Sequence, residues 1–359
     1  MKVLVWQWGR RGAGPRYAAE LVRAFNRDPS VTAVLSLSDR AELLQTRSPP
    51  VCAKPVATYS SIAGLGLRLL TAPVLVPELA RWIRRERVDI ALCAMPAAMD
   101  LVMAAALLIA RVPYVVVVHE ADLHPGDRFA LQIRLQRWLV RGARGLVALS
   151  SHVAGRARVL GLVRNKPLMM AALPPFHYGD DLPPPGAHGG RLRLLSFGRL
   201  LPYKGLDLLA EALERLGTRD DLEVRVVGSG PESPTLDRLR ALPGVTVENR
   251  WVYEEEMADV MGWADALVLS HREASQSGVA AAAIAARRWV IATRVGGLAE
   301  QLGNEPTAIL CEPDGESVMH AIRTLLTVER TPPETGPGAD DGWHRTAQKM
   351  VEGLRSIAG

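Results

Sequence analysis

Leu192-Arg193-Leu194-Leu195-Ser196-Phe197-Gly198-Arg199-Leu200-Leu201-Pro202-Tyr203-Lys204-Gly205-Leu206 changes character twice. An apolar run of strand type ends at a glycine, a basic turn follows, and a helical pattern opens near Leu206. The same exchange recurs on both sides. Strands are predicted at Lys2–Trp8, Val31–Leu37, Asp89–Ala94, Pro113–His119 and Gly145–Ser150 in the first half. In the second half they are predicted at Leu192–Phe197, Glu223–Gly228, Val245–Glu248, Ala266–Ser270, Val290–Thr293 and Ala308–Cys311. Helical patterns such as Pro15–Asn26, Asp127–Arg141, Leu206–Leu216 and Glu316–Val328 lie between them. Strand–helix alternation with short loops builds parallel sheets with helices on both faces. The expected class is therefore α/β, with two doubly wound, Rossmann-like sheets facing across a cleft.

Leu173-Pro174-Pro175 through Gly189-Gly190 is too rich in Pro and Gly to continue a sheet. It divides the chain into a domain at 1–173, a linker at 174–190 and a second domain at 191–330. A second Pro/Gly stretch, Thr331 to Gly338, precedes a closing amphipathic helix, Trp343–Ile357, within 331–359. The 359 residues are enough for two domains. Cys52, Cys93 and Cys311 are too few and too scattered for a disulfide framework or a cysteine zinc site, and they suit a reducing cytoplasm. Met1-Lys2-Val3-Leu4-Val5-Trp6 looks like a first strand rather than a leader. The longest apolar run, Leu101 to Ala110, is too short to span a bilayer.

Charge is uneven. Residues 1–180 carry 24 Lys and Arg against 12 Asp and Glu, net +12, while residues 181–359 carry 19 against 26, net −7. A basic half suits a phosphorylated ligand or an anionic membrane surface. No helix-turn-helix, stacking-aromatic motif or basic tail supports nucleic acid. Gly64 to Arg87 mixes Leu67, Leu70, Val74 and Trp82 with Arg68, Arg81, Arg84 and Arg85, and Arg134, Arg137, Arg141 and Arg144 surround Trp138. Either segment could lie on anionic lipid, and ordinary surface helices with extended arginines account for both equally well.

Five loops carry polar chemistry. Arg199 and Lys204 follow a strand and flank a helix start, a placement suited to a diphosphate. Val227-Gly228-Ser229-Gly230-Pro231 resembles half of a dinucleotide fingerprint, and a plain turn explains it better. His271-Arg272-Glu273-Ala274-Ser275-Gln276-Ser277-Gly278 enters an alanine-built helix whose first N–H groups could hold phosphate or hydroxyl oxygens. His119-Glu120-Ala121-Asp122-Leu123-His124 ends an apolar strand, and its spacing misses the helical zinc pattern. Arg10-Arg11-Gly12-Ala13-Gly14-Pro15 is a flexible turn into a helix. No Asp-x-Asp pair occurs, so no metal is expected.

In this order the motifs resemble the family 4 retaining glycosyltransferases of the GT-B fold, most closely from Leu192 to Ile322. Gln276-Ser277-Gly278 resembles the subset found in bacterial exopolysaccharide and glycoconjugate pathways. The resemblance implies transfer of a hexosyl group from a UDP- or GDP-sugar to a lipid-linked or small-molecule acceptor, with no cofactor, in the cytoplasm or peripherally on the inner face of the plasma membrane. It implies that Arg199, Lys204 and Gly14 hold the donor diphosphate. It implies His119 and Glu273 as catalytic residues, and Gln276, Ser277 and Gly278 at the donor sugar. Val252, within Trp251-Val252-Tyr253, and Glu300, within Val295-Gly296-Gly297-Leu298-Ala299-Glu300, would contact the nucleoside. One departure stands out. The family carries two glutamates with seven residues between them, and the second falls on Ala281 or Ala282 here, so the register of Glu273 is open by one residue. A nucleotide-sugar 2-epimerase and an inactive glycosyltransferase-like partner share the same outline.

Overall fold

The computed structural model describes residues 1–120, 130–176, 178, 182–328 and 339–359. They form two compact units. Among the described residues, the first unit holds 1–120, 130–172 and 343–359, and the second holds those of Leu173–Gly342.

In the first unit, chain order runs β1 (Lys2–Gln7), α1 (Ala13–Phe25), β2 (Thr32–Leu37), α2 (Ile62–Leu70), α3 (Ala72–Arg85), β3 (Ile90–Cys93), α4 (Asp100–Ala110), β4 (Tyr114–Val118), α5 (Ala130–Gly142), β5 (Gly145–Ala148), α6 (Ser151–Val159) and β6 (Leu168–Met170). The six strands form one parallel sheet in the order β2-β1-β3-β4-β5-β6. Val3, Leu4, Val5 and Val115 through Val118 are fully buried, as expected of parallel strands covered on both faces. The edge strand β6 was not expected from sequence. It is three residues long, and Leu168-Met169-Met170 lacks the β-branched residues that mark a strand.

The second unit runs β7 (Leu192–Arg199), α7 (Leu206–Leu216), β8 (Leu222–Ser229), α8 (Pro234–Arg240), β9 (Val245–Asn249), α9 (Met257–Trp263), β10 (Ala266–Leu269), α10 (Gly278–Ala285), β11 (Trp289–Thr293), α11 (Gly296–Leu302), β12 (Ala308–Cys311) and α12 (Gly315–Thr327). Its parallel sheet has the order β12-β11-β10-β7-β8-β9. The chain moves one way from β7 to β8 and β9, then returns to place β10 on the other side of β7. The topological switch point therefore lies between β7 and β10, and doubly wound sheets bind ligands beyond the strand ends at that point.

The Pro/Gly segment is anchored to the second unit rather than loose. Gly186 N–H donates to the buried Asp265 carboxylate at 2.6 Å, and the same carboxylate meets His188 Nε2 at 3.0 Å and Arg193 N–H at 2.9 Å. The closing helix α13 (Ala339–Ala358) belongs, from Trp343 on, to the first unit, where Trp343 packs against Tyr17 with ring centroids 5.6 Å apart. Thr331 to Gly338 lies outside the described residues.

The basic stretch from Gly64 to Arg87 resolves into two kinds of surface. On α3, Leu79 and Ile83 are buried in the core, whereas Leu67, Leu70 and Val74 are exposed. No single helix among the described residues is long and apolar enough to cross a bilayer, and α2 meets α3 at a 64° bend.

Candidate functional site

At the switch point the turn after β7 and the loop after β10 are fastened together. Arg272 N–H donates to Tyr203 C=O at 2.8 Å, Ser270 Oγ to Lys204 C=O at 3.1 Å, and Lys204 Nζ lies 2.8 Å from His271 Nε2. The ammonium is the donor there, so His271 accepts as a neutral imidazole. This approach depends on Gly205. Its φ is +63°, and a Cβ there would sit 1.9 Å from Ser270 O. Arg272 also reaches across to Asp207 at the start of α7.

Arg199 and Lys204 converge on one ring, each with its charged group 5.3 Å from the Tyr203 centroid. A buried aromatic face orients both cations without neutralising either. The N-terminus of α10 closes this group, since a Cβ on Gly198 would lie 3.7 Å from Val279 and 3.9 Å from Lys204 Nζ. Thus Arg199, Lys204 and the first turn of α10 form one cluster. Ser277 is the N-cap of α10; its hydroxyl accepts from Ala280 N–H at 3.2 Å, and its backbone exchanges two hydrogen bonds with the Gln301 side chain. The N–H groups of Gly278 and Val279 lead that helix, whose dipole favours an anion. Glu273 is exposed in the same loop, Gln276 is half-buried, and Ala274 C=O receives Gly297 N–H at 2.9 Å. That bond brings in α11, where Glu300 is exposed. The Val252 side chain is buried with Met257 and Met261, which leaves only its backbone to face a ligand.

The Gly228-Ser229-Gly230 segment is backbone engineering, not a fingerprint. Strand β8 continues through Ser229, with Gly228 opposite Gly198. A Cβ on Gly228 would sit 1.7 Å from Gly198 O, so the two strand ends approach as only glycine allows.

In the first unit, His119 follows β4. Its Nε2 lies 2.8 Å from Ala94 C=O, and its ring meets Tyr17 edge-on with centroids 5.1 Å apart. Burial drives its pKa down to about 4, so the imidazole is neutral and donates to that carbonyl. Gly14 lies in the first turn of α1, where a Cβ would come within 2.8 Å of Gln7 Nε2 and 3.2 Å of Met95 Sδ. The N-terminus of α1 has neither a side-chain cap nor an acidic residue in its first turn, which suits an anion. Beyond Glu120, the His119–His124 motif lies outside the described residues. Among the described residues no group of three His, Cys, Asp or Glu side chains is placed to hold a metal.

Sequence reasoning gave His271 no role. Its adjacency to Lys204 depends on β10 pairing directly with β7, an order that linear sequence does not display. The signal that could have found it is its position at a strand exit beside the loop already suspected.

Residues 7–172 match the family model described as glycosyl transferase 4-like domain, and residues 191–328 match that of glycosyl transferases group 1. Among curated proteins, the D-inositol 3-phosphate glycosyltransferase of Geodermatophilus obscurus is 32% identical over 182 residues, 46% of this chain and 40% of that protein. The phosphatidylinositol N-acetylglucosaminyltransferase GPI3 subunit of Saccharomyces cerevisiae is 23% identical over 179 residues, 46% of this chain and 39% of that protein. The chain thus spans about 40% of the length of these curated relatives. Among solved structures, Anabaena Alr3699/HepE in complex with UDP and glucose has a TM-score of 0.71 at 18% identity, covering 99% of this chain and 100% of that one. A glycosyltransferase from Rickettsia africae ESF-5 has a TM-score of 0.68 at 16% identity, covering 99% and 98%. At such identities the likeness shows a shared fold.

Proposed function

The chain belongs to the GT-B glycosyltransferases through its 4-like and group 1 domains, and from that premise we propose that it moves a hexosyl group from a nucleoside diphosphate sugar to an acceptor hydroxyl with retention at the anomeric carbon. The observation that carries this reading is the cluster at the switch point of the second sheet, where Arg199 and Lys204 share the Tyr203 face beside the first turn of α10. The leaving diphosphate gains charge as the glycosidic bond breaks. Arg199, Lys204 and the N–H groups of Gly278 and Val279 would meet that charge with fixed donors, the arrangement that stabilises such transition states most. His271 holds Lys204 in place for this. Glu273 and Gln276 are the sugar-facing candidates, His119, whose one N–H is spent on Ala94 C=O, would meet a donor-sugar hydroxyl as an acceptor through Nδ1, and Gly14 keeps the first turn of α1 open to phosphate. Glu300 and the Val252 backbone would take the nucleoside. With this many cationic groups available, the diphosphate needs no metal.

The acceptor class we propose is a lipid-linked sugar of bacterial polysaccharide or glycoconjugate synthesis, met at the inner membrane face. The basic first half and the exposed Leu67, Leu70 and Val74 support it. The curated relatives are named for an inositol 3-phosphate and a phosphatidylinositol, which supports an acceptor carrying phosphate. The test is a thermal-shift screen of UDP- and GDP-sugars, followed by transfer to membrane-extracted acceptors. One donor should raise the melting temperature by linkage. No stabilisation by any donor would leave an inactive relative, and release of the sugar as its epimer without acceptor would make the protein a 2-epimerase.

A further inference from the structure

A cavity of about 300 Å³ lies between the last turn of α5 and the loop after α6, within the roughly 300–1,000 Å³ typical of small-molecule sites. Arg137 and Arg141 line it from the helix, Arg164 and Lys166 line it from the loop, and no carboxylate is among its described lining residues. It lies at the edge of the first sheet where strands begin, since α5 leads into β5 and the loop leads into β6. Gly14 and His119 follow strands β1 and β4 at the opposite edge, so this is not the face assigned to the donor.

Cations near a helix C-terminus ordinarily answer the helix dipole. Lys166 does this here, because its ammonium donates to the carbonyls of Val140 and Arg141, the latter at 2.7 Å. Three guanidinium groups remain in excess. One of them is felt at Lys166, whose pKa is lowered by burial first and by Arg164 second. Arg164 also stands at φ +45°, a left-handed conformation that glycine adopts more readily than arginine. Three guanidinium groups on one cavity, with no carboxylate among its described lining residues, call for a counter-charge.

We propose that this cavity is a second anion site, taking a phosphate-bearing group through the guanidinium forks of Arg137, Arg141 and Arg164. Guanidinium matches phosphate oxygens bidentately. The group has two sources. Trp138 and Val159 are largely exposed and adjacent in sequence to the lining residues Arg137 and Leu160, which suits the apolar surroundings of a lipid headgroup, and the cavity itself accommodates a free phosphate compound. The site does not depend on the transfer activity.

Inorganic pyrophosphate titrated calorimetrically into Arg199→Ala/Lys204→Ala protein reads the cavity without the donor cluster. The combination Arg137→Gln/Arg164→Gly should weaken binding about tenfold or more, as loss of charge-assisted hydrogen bonds requires. Glycine accepts the φ of Arg164, so the fold is retained and an undiminished melting temperature verifies it. Flotation on phosphatidylcholine vesicles with and without phosphatidate separates the sources. Loss of flotation on phosphatidate vesicles in the combined variant assigns the site to a lipid phosphate, and loss of pyrophosphate binding with unchanged flotation assigns it to a free one. The proposal is overturned if neither changes, or if Arg158→Gln, an exposed arginine outside the cavity, weakens binding as strongly.

Discussion

Two buried groups in the first unit should give its stability a pH profile that a single substitution unmasks. Asp100 is buried at the start of α4. Its carboxyl accepts from Trp6 Nε1 at 3.1 Å, Ala97 N–H at 2.6 Å and Cys93 Sγ at 3.4 Å. Burial outweighs these bonds and raises its pKa from 3.8 to about 7, while burial lowers that of His119 from 6.5 to about 4. The signs are opposite. Between about pH 4 and 6.5, unfolded His119 binds a proton that the native ring lacks, so its contribution makes stability rise with pH. Over the same range native Asp100 holds a proton that the unfolded chain has released, so its contribution makes stability fall. Each slope approaches about 1.36 kcal/mol per pH unit, and the two nearly cancel. The parent protein should therefore change by only a few tenths of a kcal/mol between pH 5 and 6.5 from these two groups.

Asp100→Asn removes one side of the balance. The amide leaves the Ala97 N–H poorly accepted, a uniform offset of about 1–3 kcal/mol that does not vary with pH. What remains is the His119 slope, so stability should climb by about 1.5 kcal/mol from pH 5 to 6.5. Urea unfolding followed by tryptophan fluorescence reads this, because Trp6 and Trp8 are both buried in the same unit. Contributions of surface carboxylates cancel between parent and variant. Parallel profiles for the two proteins would refute the raised Asp100 pKa, and a parent that itself climbs by about 1.5 kcal/mol would refute the cancellation.

Arg199→Ala and Lys204→Ala should each lower kcat/KM on the order of ten- to a thousand-fold, and unchanged kinetics in both would remove the cluster from the mechanism. Glu273→Gln should lower kcat with nucleoside diphosphate binding intact if Glu273 reads the sugar; a larger defect in Gln276→Ala would move the register by one residue, and parental rates in both would reduce the loop to a helix cap. Gly205→Ala should part the two loops by forcing a Cβ against Ser270 O, with a lower melting temperature and at least about tenfold weaker donor binding, and a donor affinity equal to the parent's would refute the coupling of the loops. Transfer should persist in excess EDTA, and inhibition reversed by Mg²⁺ or Mn²⁺ would show that the cations do not suffice.

The sheets were legible in the sequence because parallel strands buried on both faces read as continuous apolar runs. Val115 to Val118 and Leu192 to Leu195 announce themselves, while the short edge strand at Leu168 does not. The cluster was legible only in pieces. Arg199, Lys204 and the loop from His271 each stood out as polar segments at strand exits, yet nothing in the linear order joins residue 204 to residue 271. The join comes from β10 inserting beside β7, and strand order is a tertiary outcome of where each crossover helix packs. Once the order is known, the glycines change meaning. Gly205 and Gly228 read in sequence as turn formers, whereas in the fold they are places where backbone meets backbone at distances no side chain permits. That closeness brings the Lys204 ammonium within 2.8 Å of His271 and fixes both cations on one aromatic face. A diphosphate arriving there would meet charges already ordered, so little conformational entropy is lost at binding or at the transition state. The recognisable motif residues supply the charge, and the unremarkable glycines between them set its position.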